Sequence, residues 1–281
     1  MNEKKYGLIG YPLGHSMSAL IHKELFKISS IKAEYQLIEV KSQELEYEFK
    51  NKLKKLNGFN ITIPHKINII PFLDELSKKA KLFGSVNTVA VQEEKTIGYN
   101  TDCEGFLRAL EYANIQLGGK VLVCGSGGVS RMFAFESVLG GADLTIAVRE
   151  SSLQAANKVK EEIRKKLSKD CKVTLLTQAK GNYDLIINGT PVGMYPNVNE
   201  CPLDERVIKS SKAVFDAVYN PVNTKFICYA NEGGLKYSNG LSMLVWQAAI
   251  AEEIWNDVKF SKEDIEKVME ITRRELEKVE K

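Results

Sequence analysis

The sequence predicts an α/β protein of two domains, a βαβ-type N-terminal domain that is discontinuous in the chain and a Rossmann-like, doubly wound second domain. Three observations predict it. Strand-like and helix-like runs alternate over the first hundred residues, the pattern of a mostly parallel sheet. At Gly118 the alternation restarts and leads into a glycine-rich loop, Gly125-Ser-Gly-Gly-Val-Ser-Arg131. After Gly240 the chain turns helical with the second unit's strand count already complete, so these last helices are expected to pack back on the first domain. The expected division is 1–102 with 241–281, and 103–240.

In chain order, Tyr6–Gly10 reads as a strand, Ser18–Ser29 as a helix, Glu34–Val40 as a strand, Ser42–Leu53 as a helix and Gly58–Ile63 as a strand. Pro64 stops that strand because it has no donor for the ladder. Residues 67–83 read as helical despite Pro71, and Ala90–Tyr99 as a strand pair turning at Glu93–Lys95. The second unit then offers strands at Val121–Cys124, Leu144–Val148, Val173–Leu176, Leu185–Asn188 and Ala213–Asp216, with a charged helix at Ser151–Leu167. Met243, Leu244, Gln247, Ala248, Ala251 and Ile254 share one helical stripe. A last helix starts at Ser261, has Asp264 in the capping-box position, and carries Ile265, Val268, Met269, Thr272, Leu276 and Val279 along one face.

At 281 residues the chain can build a core in each of two domains. Its net charge of +3 is close to balance, and lysines interspersed with glutamates call for neither nucleic acid nor a membrane surface. The five cysteines are odd in number, widely spaced and never C-x-x-C, which argues for buried thiols in a reducing compartment. The N-terminus runs straight into the strand at Tyr6 without a signal-peptide core, so a cytoplasmic protein is expected. His15, His22 and His65 have no cysteine pair beside them at ligand spacing, so no metal is expected.

The chemistry-bearing candidates lie at strand ends. Lys66 follows the Asn60–Ile63 strand and Pro64, at the carboxyl edge where open α/β sheets place ligands. It reads either as a solvated loop lysine or, with Asp102, as an acid/base pair able to exchange a proton with a substrate hydroxyl. Asp102 or Thr101 also fits an N-cap for the helix over Phe106–Ala113. The glycine loop is either a tight turn or a pyrophosphate cradle at a helix N-terminus, with Ser130 where the fingerprint has its third glycine. At the end of the next strand, Arg149 suits a 2′-phosphate, Glu150 opposes it, and Val148 offers no hydrogen bond.

Eight strings match one family in order along essentially the whole chain. They are Gly10-Tyr-Pro-Leu-Gly-His-Ser-Met-Ser18, Asn60-Ile-Thr-Ile-Pro-His-Lys66, Gly84-Ser-Val-Asn-Thr88, Asn100-Thr-Asp102, the glycine loop, Asn188-Gly-Thr-Pro-Val-Gly-Met194, Asp216-Ala-Val-Tyr-Asn-Pro221 and Gly240-Leu-Ser-Met-Leu-Val-Trp-Gln247. The chain resembles the shikimate dehydrogenases. The resemblance implies reversible, NADP-linked reduction of 3-dehydroshikimate to shikimate on the route to chorismate and the aromatic amino acids, by a monomer or homodimer acting on a small molecule.

Carried over residue by residue, the resemblance makes Lys66 and Asp102 the catalytic pair and Ser16 and Ser18 the clamp on the substrate carboxylate. Thr62, Asn87, Asp102 and Gln247 would bind ring hydroxyls, with Tyr219 also on the substrate. Gly125, Ser126, Gly127, Gly128, Val129, Arg149, Ala217 and Gly240 would contact the cofactor. The chain departs from the family pattern at Ala19 and Lys23, where proline and asparagine are common, and at Leu153, often basic. It departs most at Val148-Arg149-Glu150, usually Asn-Arg-Thr, which leaves NADP against NAD open. A quinate or dual quinate/shikimate dehydrogenase shares the same constellation, and a catalytically retired nucleotide sensor is the reading from another class.

Overall fold

The computed structural model describes residues 3–14 and 16–279, without the Val279 side chain. His15, weighed above as a metal ligand, and the face position given to Val279 therefore lie outside the described residues. The chain forms two compact units, 3–105 with Val245–Val279, and Phe106–Leu244.

The first unit runs β1 (Lys4–Gly10), α1 (Ser18–Ile28), β2 (Ala33–Glu39), α2 (Leu45–Asn51), β3 (Gly58–Ile61), α3 (His65–Asn68), β4 (Glu75–Leu76), α4 (Lys78–Phe83), β5 (Thr88–Gln92), β6 (Lys95–Tyr99) and the start of α5 (Thr101–Tyr112). Its sheet has the order β2-β1-β3-β5-β6-β4. β1 pairs in parallel with β2 and β3, as the alternation predicts, but β5 is antiparallel to both β3 and β6. The β5–β6 turn is two residues long, with Glu93 and Glu94 both at positive φ, so the hairpin reverses the strand direction directly.

Two expectations for this unit need correction. Residues 67–83 do not form one helix. Pro71 sits in a short 3₁₀ turn, and Asp74 then accepts from both the N–H and the hydroxyl of Thr96, drawing Glu75–Leu76 into the sheet beside β6. The strand before Pro64 ends at Ile61 instead of Ile63, although Thr62 N–H still donates to the Ile9 carbonyl at 2.9 Å. Lys66 consequently stands on the short helix α3, one step beyond the strand edge.

The second unit runs β7 (Lys120–Cys124), α6 (Gly128–Leu139), β8 (Asp143–Val148), α7 (Leu153–Leu167), β9 (Lys172–Leu175), β10 (Leu185–Asn188), α8 (Glu205–Lys209), β11 (Ala213–Asp216), α9 (Lys225–Glu232) and β12 (Lys236–Asn239). All its strand pairs are parallel, in the order β12-β11-β10-β7-β8-β9. This is the six-strand dinucleotide-binding order, whose switch point falls between its first and fourth strands, β7 and β10. β12 is the strand that the sequence reading missed. Its residues, Lys236, Tyr237, Ser238 and Asn239, are polar but for Tyr237, and even the buried position is a serine, so this edge strand shows little of the apolar alternation that marks a strand.

One face of this second sheet packs Leu122, Ile186, Val214, Phe226 and Ile227 together, and Phe106, Phe133 and Phe215 interlock elsewhere with ring centroids 4.5 to 5.4 Å apart. The chain ends with α10 (Gly240–Asn256) and α11 (Lys262–Val279). Ser261 and Asp264 make the expected reciprocal capping box. Cys103, Cys124 and Cys171 are buried thiols as expected, whereas Cys201 is half-buried and Cys228 exposed.

Candidate active site

Lys66 and Asp102 meet in the first unit, with Nζ 2.7 Å from Oδ2. Their side chains are 29% and 19% exposed, enough for a small molecule to reach both. The helix α5 is capped by neither Asp102 nor Thr101. Asn100 does that work, its Oδ1 accepting from Cys103 N–H at 3.4 Å, so the Asp102 carboxylate is left for the lysine. The Lys66 backbone carbonyl accepts from Val86 N–H at 2.8 Å, which ties α3 to the segment that carries Asn87.

Asn87 is buried and fixed in orientation. Its Oδ1 accepts the Thr101 backbone N–H at 2.7 Å and its Nδ2 donates to Thr101 Oγ1 at 3.0 Å. The committed oxygen leaves Asn87 with one N–H to offer a ligand. Gln247 joins this cluster through Thr101 Oγ1, 3.5 Å from its Oε1. Thr62 follows β3 on the same unit, half-buried. Asn60 and Thr88, which the strand pattern marks only as polar positions, are buried in the same network, with Asn60 Nδ2 donating to Thr88 Oγ1 at 2.9 Å.

Ser16 and Ser18 stand at the start of α1. Ser16 Oγ accepts the Ser18 N–H at 3.2 Å, and no side chain caps the helix itself. The amides of Ala19 and Leu20 precede the helix's own first bond, Ile21 N–H to the Met17 carbonyl, and lie beside two hydroxyls, a donor set suited to a carboxylate.

In the second unit β7 delivers the glycine loop to the N-terminus of α6. Gly125 has φ 105°, a conformation that favours glycine, and a Cβ there would lie 2.6 Å from Ser130 Oγ. Gly127 and Gly128 are exposed, and a Cβ at either would meet nothing within 4 Å, so the loop keeps an open surface at the helix N-terminus. Arg131 N–H makes the helical bond back to Gly127, so the amides of residues 128–130 precede the helix's own hydrogen bonds. Ser126 and Val129 flank this surface, half-buried. The site fits a pyrophosphate.

Arg149 and Glu150, beyond β8, are both exposed. Ala217 and Gly240 are in close contact, since a Cβ on Gly240 would lie 2.2 Å from the Ala217 carbonyl oxygen. Tyr219 lies beyond β11 in the second unit, and burial pushes its phenol pKa up.

The sequence reading gave no role to Asn188 and Asp216, which organise the loops after β10 and β11. Asp216 is fully buried and accepts from Asn188 Nδ2 at 2.9 Å, Val218 N–H at 3.0 Å and Thr224 Oγ1 at 2.5 Å. Burial pushes its carboxyl up to about 6, against these hydrogen bonds. Asn188 Oδ1 in turn accepts from the N–H and hydroxyl of Thr190. Both residues fall within the matched strings, the one sequence signal that could have singled them out. Among the described residues no three His, Cys, Asp or Glu side chains are grouped to hold a metal, and no helix is long and apolar enough to cross a membrane.

Comparison with known proteins identifies the family. A family model described as the shikimate dehydrogenase substrate binding domain matches residues 8–89, and one described as the shikimate 5′-dehydrogenase C-terminal domain matches residues 240–270. The shikimate dehydrogenase (NADP(+)) of Methanococcus maripaludis is 41% identical over 261 residues, covering 91% of this chain and 92% of that protein. The crystal structure of a chorismate mutase/shikimate 5-dehydrogenase fusion protein from Clostridium acetobutylicum superposes with a TM-score of 0.86 at 36% identity, covering 99% of this chain and all of that one. The shikimate 5-dehydrogenase from Listeria monocytogenes, crystallised with shikimate and NAD, does so with a TM-score of 0.85 at 32% identity, covering 96% of both. The chain belongs to the shikimate dehydrogenase family.

Proposed function

We propose that this protein is an NADP-dependent shikimate dehydrogenase that interconverts 3-dehydroshikimate and shikimate in aromatic amino acid biosynthesis. The observation that carries the reading is the 2.7 Å contact between Lys66 and Asp102 within the unit matched by the substrate-binding family model. The unit 3–105 with Val245–Val279 then holds substrate, and Phe106–Leu244 holds the cofactor.

In this reading Ser16 and Ser18, with the amides of Ala19 and Leu20, bind the substrate carboxylate. Asn87 gives its remaining N–H to a ring hydroxyl oxygen, and Thr62 and Gln247 complete the polar contacts of this unit. In reduction the Lys66 ammonium gives a proton to the reacting oxygen, and in oxidation the neutral amine takes the hydroxyl proton back. Asp102 orients the ammonium so that the proton moves along one line.

The bound nicotinamide supplies the complementary hydride exchange. The open loop at Gly127 and Gly128 and the N-terminus of α6 receive the pyrophosphate, Ala217 and Gly240 line the same unit's cofactor face, and Arg149 takes the 2′-phosphate against the charge of Glu150. The buried thiols of Cys103, Cys124 and Cys171 support a reducing compartment, the cytoplasm. Initial rates with shikimate and quinate, each against NADP and NAD, test the reading together with light scattering for a monomer or homodimer. Turnover confined to quinate, or absent with both substrates, would refute it.

A further inference from the structure

A pair of fully buried side chains takes no part in that mechanism. His22 Nδ1 lies 2.6 Å from Glu252 Oε1, and both side chains are at 0% exposure. Glu252 Oε2 accepts from Asn256 Nδ2 at 2.8 Å, and Asn256 Oδ1 accepts from Lys4 Nζ at 2.7 Å and Tyr6 OH at 2.9 Å. The other imidazole nitrogen, Nε2, is buried without a hydrogen-bond partner among the described residues. The His22 ring stacks on Tyr35 with centroids 4.1 Å apart and planes 11° apart, and the Tyr35 hydroxyl donates to Asn60 Oδ1 at 2.7 Å.

Burying such a pair costs desolvation that its attraction scarcely recovers, so stability alone is a weak reason for it. Its position suggests a better one. His22 follows Ser18 by four residues on α1, about 6 Å along the axis on the same helix face. Glu252 follows Gln247 by five residues on α10, about 7.5 Å along that axis. The contact therefore ties the helix that begins at the carboxylate clamp to the helix that presents Gln247. Through Tyr35 the same ring also abuts Asn60, next to Asn87 in the hydrogen-bonded cluster.

We infer that His22 and Glu252 are positioning residues that set the spacing between the Ser18 end and the Gln247 end of the substrate site. This rests on the shikimate reading and on the roles given there to Ser18 and Gln247. A polar tie has a defined length and direction, whereas an apolar replacement of similar volume loses rigidity before it loses stability.

The test measures shikimate and NADP KM, kcat and Tm for three variants beside the wild-type enzyme. Glu252→Ala is expected to raise shikimate KM about tenfold while NADP KM stays within twofold. Glu252→Gln, whose amide can donate to His22 and accept from Asn256, is expected to restore shikimate KM. The double variant His22→Phe with Glu252→Leu replaces the pair by apolar groups and keeps a ring against Tyr35, so it is expected to fold with little loss of Tm and still show the raised shikimate KM.

A double variant with wild-type shikimate KM overturns the inference, as does a Glu252→Ala enzyme in which both KM values move together. A wild-type enzyme that does not oxidise shikimate overturns the functional reading itself, and the inference with it. Normal wild-type turnover with unmoved variants overturns the inference alone.

Discussion

The Ser130 side chain occupies the space that a side chain at residue 189 would need. A Cβ on Gly189 would lie 2.5 Å from Ser130 Oγ and 3.0 Å from its Cα, and the hydroxyl donates to the Gly189 carbonyl at 2.8 Å. The first turn of α6 and the end of β10 thereby fit against each other at the sheet's switch point, and the serine replaces the third glycine of the fingerprint because its neighbour across the gap is itself glycine. Gly189→Ala is expected to force α6 outward, at about 1 to 3 kcal/mol of stability, and to weaken NADP binding at the loop. Adding Ser130→Gly should recover most of both losses. Calorimetric Kd values for NADP across the two single variants and the double variant check this, and simple additivity would show that the two positions do not compete for space.

Lys66→Ala is expected to lower kcat about a hundredfold, the scale of losing a positioned acid/base group. Because the Lys66–Asp102 pair is partly exposed, its removal should cost no more than about 1 kcal/mol of stability. Steady-state rates and thermal melts on the same preparations separate the two effects. Near-normal turnover would mean that another group moves the proton.

Glu150→Thr is expected to raise kcat/KM for NADP more than for NAD, by about 1 kcal/mol or more in the ratio, because a carboxylate beside the 2′-phosphate repels it. Arg149 stays in place to attract that phosphate in both proteins. The readout is the NADP to NAD specificity ratio, measured at low and high salt, since an exposed charge is screened. An unmoved ratio would place Glu150 away from the ribose.

Asp216 gives the pH dependence of stability a defined sign. Its carboxyl pKa is pushed from 3.8 to about 6 in the fold, so the folded chain holds that proton more tightly than the unfolded chain. The associated stability is fully present below pH 3.8 and is lost as pH rises through about 6, amounting to about 3 kcal/mol. Burial raises the Glu252 carboxyl as well, which acts in the same direction. Urea unfolding of Asp216→Asn between pH 4 and 7 is expected to show a flatter profile than the wild type. Parallel profiles would mean that Asp216 titrates alike in both states.

The parts of the fold that follow a regular period were legible in the sequence. β7, β8, β10 and β11 are short apolar runs bounded by turns, and α1 and α11 carry their apolar residues on one face. What was hidden depends on partners distant in the chain. The break in 67–83 comes from Thr96 holding Asp74, and β12 is defined only by its pairing with β11. In the site, Lys66 and Asp102 stood out because each closes a strand-edge motif. Asn60, Thr88, Asn188 and Asp216 did not, because a buried polar side chain acquires its meaning from the donor opposite it.

The return of Val245–Val279 to the first unit imposes an order on biosynthesis. Glu252 leaves the ribosome 230 residues after His22, so the helix carrying Ser18 must wait for its buried partner until the whole of Phe106–Leu244 has been made. That middle stretch is contiguous and can fold as soon as it emerges. A released chain that ends at residue 244 should thus carry a protease-resistant second unit after a first unit that is still cleavable, and only the last helices would complete that first unit.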